Sequence, residues 1–394
     1  MSPRALVTIL AIALAAAGTG LVVLSIHSVL APRAFMWYER DGTVYRFDPL
    51  HSTSQQVMVL PKVSGNSPPP LALSGDAKLI AVTDNHGLKI LRIEDGAIVQ
   101  EVAHKWDDPN PTSLTNTSYV PLLWSPDDRW LLIQLRRYEQ QGLGFLDVGA
   151  GTILEIGALD QTQVTCGYSG AAWSEDSRQI IITNDNPEVC EWGQASPGVL
   201  NASPSFPRLG LVFSQSYIAS DGHSSPFSVD GSADMPAWQP HTAWLAFSQT
   251  IAWQFTNPWG VPVSRIFLMR SDGTLAHAIT LNNAGTVDSP VWDHSGQLLF
   301  FTAQGTESFE DGVYESRADG TGARLLMRGT DIAPMAVSPD DAYLAIGYRS
   351  VDSIRFPMEP YSQQGMWVLN LRDNQKIYVG SAQFVGWQML ADER

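Results

Sequence analysis

Trp124-Ser125-Pro126-Asp127-Asp128-Arg129-Trp130-Leu131-Leu132-Ile133 is the stretch on which the reading of this chain turns. A large apolar residue is followed by Ser-Pro-Asp and then by an apolar run. Proline presets φ for the first central position of a turn, and Ser and Asp oxygens accept bonds from the turn's own N–H groups. The stretch therefore predicts a hairpin, with one strand ending at Trp124 and the next formed by the run that follows.

The pattern recurs. Copies start at Leu73 (LSGDAKLIAV), Trp173 (WSEDSRQIII), Trp238 (WQPHTAWLAF), Trp292 (WDHSGQLLFF) and Val337 (VSPDDAYLAI), with a truncated copy at Trp387. Successive first residues are 51, 49, 65, 54, 45 and 50 positions apart. After most copies comes a second hairpin signal, Asp-Gly between strand-like runs, as at Asp95-Gly96, Asp272-Gly273 and Asp319-Gly320. Four strands per unit at such a period is the make-up of a β-propeller blade. The copy at Trp387 supplies only a first strand, and residues 34 to 60 supply three more. One blade is then closed by both ends of the chain, which removes exposed sheet edges. The expectation is an all-β, seven-bladed β-propeller over residues 34–394, with six blades as the alternative if the first copy or the long third unit is irregular.

Trp124-Ser-Pro-Asp-Asp, Val337-Ser-Pro-Asp-Asp and the stretch from Ile266 through Asp272-Gly273-Thr274 to Asp288-Ser-Pro-Val-Trp292 resemble the repeats of the TolB-like propellers of bacterial envelopes, also described as WD40-like PD40 repeats. The resemblance covers about residues 34 to 390 and implies a propeller fold. The sequence departs from the family pattern in its turns. The family's final turn Gly is Asp128 or Asp341 here, and His241 and Ser295 replace the turn Asp in two copies.

The 394 residues include 16% charged residues, and 24 basic against 40 acidic side chains give a net charge of -16. So low a charged fraction excludes disorder. The acidic balance, with five Lys and no basic cluster beyond Arg136-Arg137, argues against nucleic acid as a partner. From Ala5 to Leu24 the chain is apolar and uncharged, close to the ~20 residues that cross a bilayer as a helix. Residues 1–33 are read as a membrane anchor and linker that places the propeller on the extracytoplasmic side, with a cleavable signal peptide as the alternative. Cys166 and Cys190 are read as a disulfide in an oxidising compartment, with two separate thiols as the alternative.

Functional residues are expected where loops are long. In a propeller the fourth-to-first and second-to-third connections share one face, and that face receives 104–119, 184–208, 250–264, 303–312 and 348–364. These loops carry Trp106, Trp192, Trp253, Phe255, Trp259, Phe356 and Tyr361, aromatics of the kind that centre protein interfaces. Asp234, Asp288 and Asp331 stand shortly before first strands and are read as channel-mouth candidates. No catalytic motif, metal-ligand spacing or cofactor-binding loop stands out, so no catalytic residue, metal or cofactor is assigned. The paired carboxylates Asp127-Asp128 and Asp340-Asp341 are read as turn residues. Asn116 and Asn201 head Asn-x-Ser/Thr sequons. The reading is of a binding protein, a scaffold or accessory subunit whose partners are other membrane or envelope proteins. A propeller hydrolase or lyase and a ligand-sensing ectodomain are the alternatives.

Overall fold

The computed structural model describes residues 33–61, 70–106, 109, 116–137, 140–156, 170–177, 179–183, 208–212, 233–254, 261–270, 277–279, 284–305, 310–348 and 365–390. The apolar segment Ala5–Leu24 lies outside them. Every regular element among the described residues is a strand. The first sheet opens with β1 (Arg33–Arg40), β2 (Thr43–Asp48) and β3 (Thr53–Val59). The second holds β4 (Leu71–Leu73), β5 (Leu79–Thr83), β6 (Gly87–Arg92) and β7 (Ile98–Ala103). The third holds β8 (Ser118–Trp124), β9 (Trp130–Arg137), β10 (Gln140–Asp147) and β11 (Thr152–Ile156). The fourth is β12 (Gly170–Trp173), β13 (Gln179–Thr183) and β14 (Arg208–Val212). The fifth is β15 (Ala233–Trp238), β16 (Trp244–Gln254), β17 (Val261–Arg270) and β18 (His277–Ala278). The sixth is β19 (Ala284–Trp292), β20 (Leu298–Gly305), β21 (Gly312–Arg317) and β22 (Arg324–Arg328). The seventh is β23 (Ile332–Val337), β24 (Tyr343–Tyr348), β25 (Met366–Asn370) and β26 (Lys376–Gly380). Last comes β27 (Gln383–Leu390), which returns to the first sheet and pairs antiparallel with β1, Trp37 opposite Gly386.

Each sheet packs on the next, and the seventh packs on the first. Trp37 and Val44 meet Ile80 and Leu91 of the second sheet. Leu88 and Ile90 meet Leu131, Ile133 and Leu135 of the third, whose Trp130, Leu132 and Phe145 meet Trp173 and Ile180 of the fourth. β12 contacts β15. Ile266 and Leu268 meet Leu299 and Phe301. Phe300 and Val313 meet Leu344 and Leu369, and Ala345, Met366 and Val368 close on Met36, Tyr38 and Phe47. This cyclic contact order is that of a β-propeller. It also explains the low charge: inner strands are buried on both faces, so β9 reads as an apolar run rather than as an alternation.

The six in-chain copies of the repeat each form the expected hairpin, with five residues between strands. In the copy at Trp124 the Ser125 Oγ–H donates to Asp127 (2.6 Å) and Ser125 Oγ accepts the Trp130 N–H (2.9 Å). In five copies the last turn position has left-handed φ whether or not it is Gly: 69° at Gly296, but 53° at Ala77, 57° at Asp128, 59° at Ser177 and 53° at Asp341, whereas in the copy at Trp238 the left-handed residue is His241, one earlier, at 59°. Strain at these non-glycine positions has a compensation. Asp128 accepts the N–H groups of Gly75 and Asp76 in the preceding sheet's turn. Ser177 Oγ accepts the Asp127 N–H (3.0 Å), and Asp341 accepts the His294 N–H (2.8 Å). Glu175 accepts from His241, and Gln239 donates to the Gly296 carbonyl. The side chains that replace the family's Gly thus tie neighbouring turns together around the ring.

The repeated Trp has a second such task. Trp124, Trp238, Trp292 and Trp387 donate their indole N–H to the carbonyls of Ala72, Ala172, Ala237 and Ala336, at 3.0, 2.9, 3.2 and 3.1 Å. Each acceptor lies one residue before the equivalent position of the preceding copy. For Trp173 that residue is Leu123, whose larger side chain packs beside the Trp173 cluster, and the buried indole N–H of Trp173 finds no partner among the described residues. Trp124→Phe should therefore cost about 1–3 kcal/mol more than Trp173→Phe, because only the first removes a bond and the second removes an orphaned donor. Apparent urea midpoints of the two variants measure the difference, and equal midpoints would contradict it.

Three expectations need correction. The fourth sheet has three described strands, and β14 runs parallel to β13 rather than antiparallel. Parallel pairing needs a long crossover, and residues 184–207 between them provide the length. The 250–264 stretch is mostly strand, with β16 and β17 paired as far out as Gln254 and Val261, and β20 runs into the 303–312 stretch as far as Gly305. The β-branched and aromatic residues of 250–254 and 261–264 favour the longer hairpin. Asp234 and Asp288 lie within β15 and β19, not before them, because bulges at Asp234/Ala237 and Asp288/Val291 carry the strands past Pro236 and Pro290. Asn116, which heads one of the sequons, is buried.

Candidate functional site

The connections divide sharply between the two faces of the ring. First-to-second and third-to-fourth turns all have four to six residues. Apart from the 184–207 crossover, the opposite face carries the longer connections, and of the aromatic candidates the described residues place Trp106 and Trp253 there. Trp106 is the one of them whose side chain is described, and it is 59% exposed. Trp253 is in β16, with only its backbone described, opposite Pro262. Trp192, Phe255, Trp259, Phe356 and Tyr361 lie outside the described residues, as do Cys166 and Cys190.

Around Trp106 the structure assembles a polar cluster that the sequence did not single out. His104 stands edge-on to Trp106, with ring centroids 5.7 Å apart. Its Nδ1 accepts the Tyr119 N–H (3.2 Å), which leaves the proton on Nε2, and Nε2–H donates to the Asp84 carbonyl (2.9 Å). Asp84 folds its own turn, accepting the N–H groups of His86 (2.8 Å) and Gly87 (3.1 Å), and pairs with Lys89. Lys89 also lies 3.6 Å from Glu101. Below Trp106, Lys105 and Thr117 exchange backbone bonds of 3.0 and 2.8 Å. The base of the 104–117 connection is thus fixed to the β5–β6 turn and to β8 through one imidazole. Spacing could not have found it, because His104 meets Asp84 and His86 through the pairing of β6 with β7, and Tyr119 through the packing of the second sheet on the third.

Burial holds His104 below the usual histidine value, opposed by the Asp84 carbonyl bond and carboxylate and reinforced by His86. The neutral ring is the folded form, so the unfolded chain binds the proton more readily. Stability from this group is complete above the ordinary histidine pKa and drains as pH falls below it. The melting temperature should drop between pH 7.5 and 5.5, and drop less in His104→Gln. Equal drops would contradict the assignment. By contrast the Asp84 carboxyl is held below its usual range: burial raises it, but the bonds from Lys89, His86 and Gly87 outweigh that.

The three channel-mouth candidates stand in different local settings. Asp288 is 8% exposed and accepts the Ser289 hydroxyl (2.9 Å). Asp331 has left-handed φ of 58° in the turn before β23. Asp234 pairs with Ser248 through its backbone, and its side chain is not described. Among the described residues no group of three or more His, Cys, Asp or Glu could hold a metal ion. A buried carboxyl the sequence reading missed is Glu39, 2% exposed, pushed up by burial and bonded by the Gly42 N–H.

The cyclic order of the sheets defines the class: a β-propeller. Solved structures similar to this chain include TolB from Acinetobacter baumannii, at 9% identity and a TM-score of 0.43 over 91% of this chain. The match spans 66% of that protein's length, just under two thirds. A putative TolB from Agrobacterium tumefaciens matches at 10% identity and 0.41, over 92% of this chain and 99% of the other. An oligogalacturonate lyase in complex with manganese matches at 14% identity and 0.50, over 89% and 85%. At these identities the likeness concerns the fold alone. No family model matches the sequence, and no curated protein does.

Proposed function

We propose that the chain is a membrane-tethered, extracytoplasmic, seven-bladed β-propeller that acts as a scaffold or accessory subunit, binding other membrane or envelope proteins through its long-connection face. Seven sheets among the described residues support the blade number. The uncharged run Ala5–Leu24 supports the tether and the localisation. The observation that carries the binding role is the asymmetry of the faces: one is built of short turns bonded to each other, while the other holds the long connections and the exposed Trp106. Rigid scaffolds commonly place their binding residues on such loops. Trp106, Trp192, Trp253, Phe255, Trp259, Phe356 and Tyr361 are the proposed contacts. The catalytic alternative needs carboxylates converging at the channel mouth, and Asp288 instead accepts the hydroxyl of its neighbour Ser289. Extraction of the native protein in mild detergent, followed by mass spectrometry of what stays attached, tests the reading. Co-recovery of membrane or envelope proteins in fixed proportion is expected, and recovery as a lone monomer would overturn it.

A further inference from the structure

We infer that the short-turn face lies against the bilayer surface and that the long-connection face, with Trp106, points away from it. This rests on the proposed anchoring by Ala5–Leu24. β1 runs from Arg33 toward the Asp41-Gly42 turn, which is a second-to-third connection and belongs to the long-connection face. Arg33 is therefore at the opposite end, paired with Leu390 at the end of β27. Gln388, two residues before Leu390, donates to the Asp76 carbonyl (3.4 Å), which puts this end of the sheet beside a short turn of the next one. The chain thus enters the ring through the short-turn face.

Chain length fixes the consequence. From Leu24 to Arg33 the backbone spans at most about 30 Å, fully extended. To turn the long-connection face toward the membrane, that segment would have to cross outward over β2 and β3 and then run down the rim. Strand spacing makes the first leg about 10 Å, and the eight residues of β1 make the second about 26 Å. The detour exceeds the tether before any length is left to meet the bilayer. On the short-turn face Leu50, in the β2–β3 turn of the same sheet, is an exposed large apolar side chain. The inner turns there carry Asp76, Asp128, Glu175 and Asp341, so the face suits an approach to headgroups without insertion among them.

Energy transfer measures the orientation. The full chain is reconstituted in phosphatidylcholine vesicles carrying a rhodamine-labelled headgroup lipid, with a donor fluorophore on a noncanonical residue at Glu94 or at Lys105. Both are exposed and both flank β7, Glu94 in the β6–β7 turn on the short-turn face and Lys105 on the other. Transfer several-fold stronger from Glu94 is the expected result. Equal transfer, or stronger transfer from Lys105, in vesicles that retain the protein through alkaline carbonate would overturn the orientation alone. Loss of the protein from the vesicles in carbonate would overturn the anchoring reading and the orientation with it.

Discussion

Truncation after Ser381 should leave a chain with no cooperative unfolding transition and a strong tendency to aggregate. The deletion removes β27, and with it the whole pairing from Arg33–Leu390 to Glu39–Gln383. It also takes Phe384, Val385 and Trp387 from the two cores that flank the first sheet, and the indole bond from Trp387 to Ala336. β1 becomes an unpaired inner edge carrying Met36, Trp37 and Tyr38, a ready template for pairing with another chain. The loss is comparable with the roughly 5–15 kcal/mol of a whole domain. Calorimetry and sedimentation of the truncated chain test this, beside Trp387→Phe as a control that keeps the strand. A truncated protein that stays monomeric and melts within a few degrees of the full chain would show that the ring does not depend on its closing strand.

Phe300→Ala and Phe301→Ala should each destabilise by about 3–5 kcal/mol, the range for deleting a fully buried aromatic side chain. The two are adjacent on β20 and both are wholly buried, but they serve different cores. Phe301 packs with Ile266, Leu268 and Leu299 between the fifth and sixth sheets, stacked on Tyr314 at 6.0 Å. Phe300 packs with Val313, Leu344 and Leu369 between the sixth and seventh. Since the cores are separate, the double variant should lose close to the sum. Urea midpoints of the three variants measure it. A single variant costing under about 1 kcal/mol would mean that its side chain is not a wedge between sheets.

Much of this architecture was legible because a hairpin turn and a Trp at fixed offset are local signals. Ser125-Pro126-Asp127 specifies its turn through bonds within five residues, and all six in-chain copies form it. The return of β27 to β1 was legible as well, since the truncated copy at Trp387 lacks the strands that residues 34–60 supply. What escaped was decided between units. Asp128 and Asp341 read as turn residues, which they are, but their bonds to Gly75, Asp76 and His294 depend on which turn stands beside them. Which repeated indole finds a carbonyl is decided between units as well: Trp173, whose equivalent acceptor is residue Leu123 fifty positions upstream, finds none among the described residues. Long hairpins such as Thr250–Gln254 paired with Val261–Ser264 read as loops in the sequence, because aromatic residues in a connection carry no sign of pairing until the partner strand is known. At the candidate site, the exposed position of Trp106 follows from the loop, while the His104 bond to Asp84 depends on the register of β6 with β7 and the bond to Tyr119 on the packing of two sheets.

The measurement that bears most directly on the long-connection face as the binding surface is in-cell photocrosslinking from a benzophenone residue placed at Trp106, with Glu94 on the short-turn face as the comparison. The expected result is a discrete higher-mass adduct containing another membrane or envelope protein from position 106 and none of that adduct from position 94. No adduct from position 106, or the same adduct from both positions, would contradict the account.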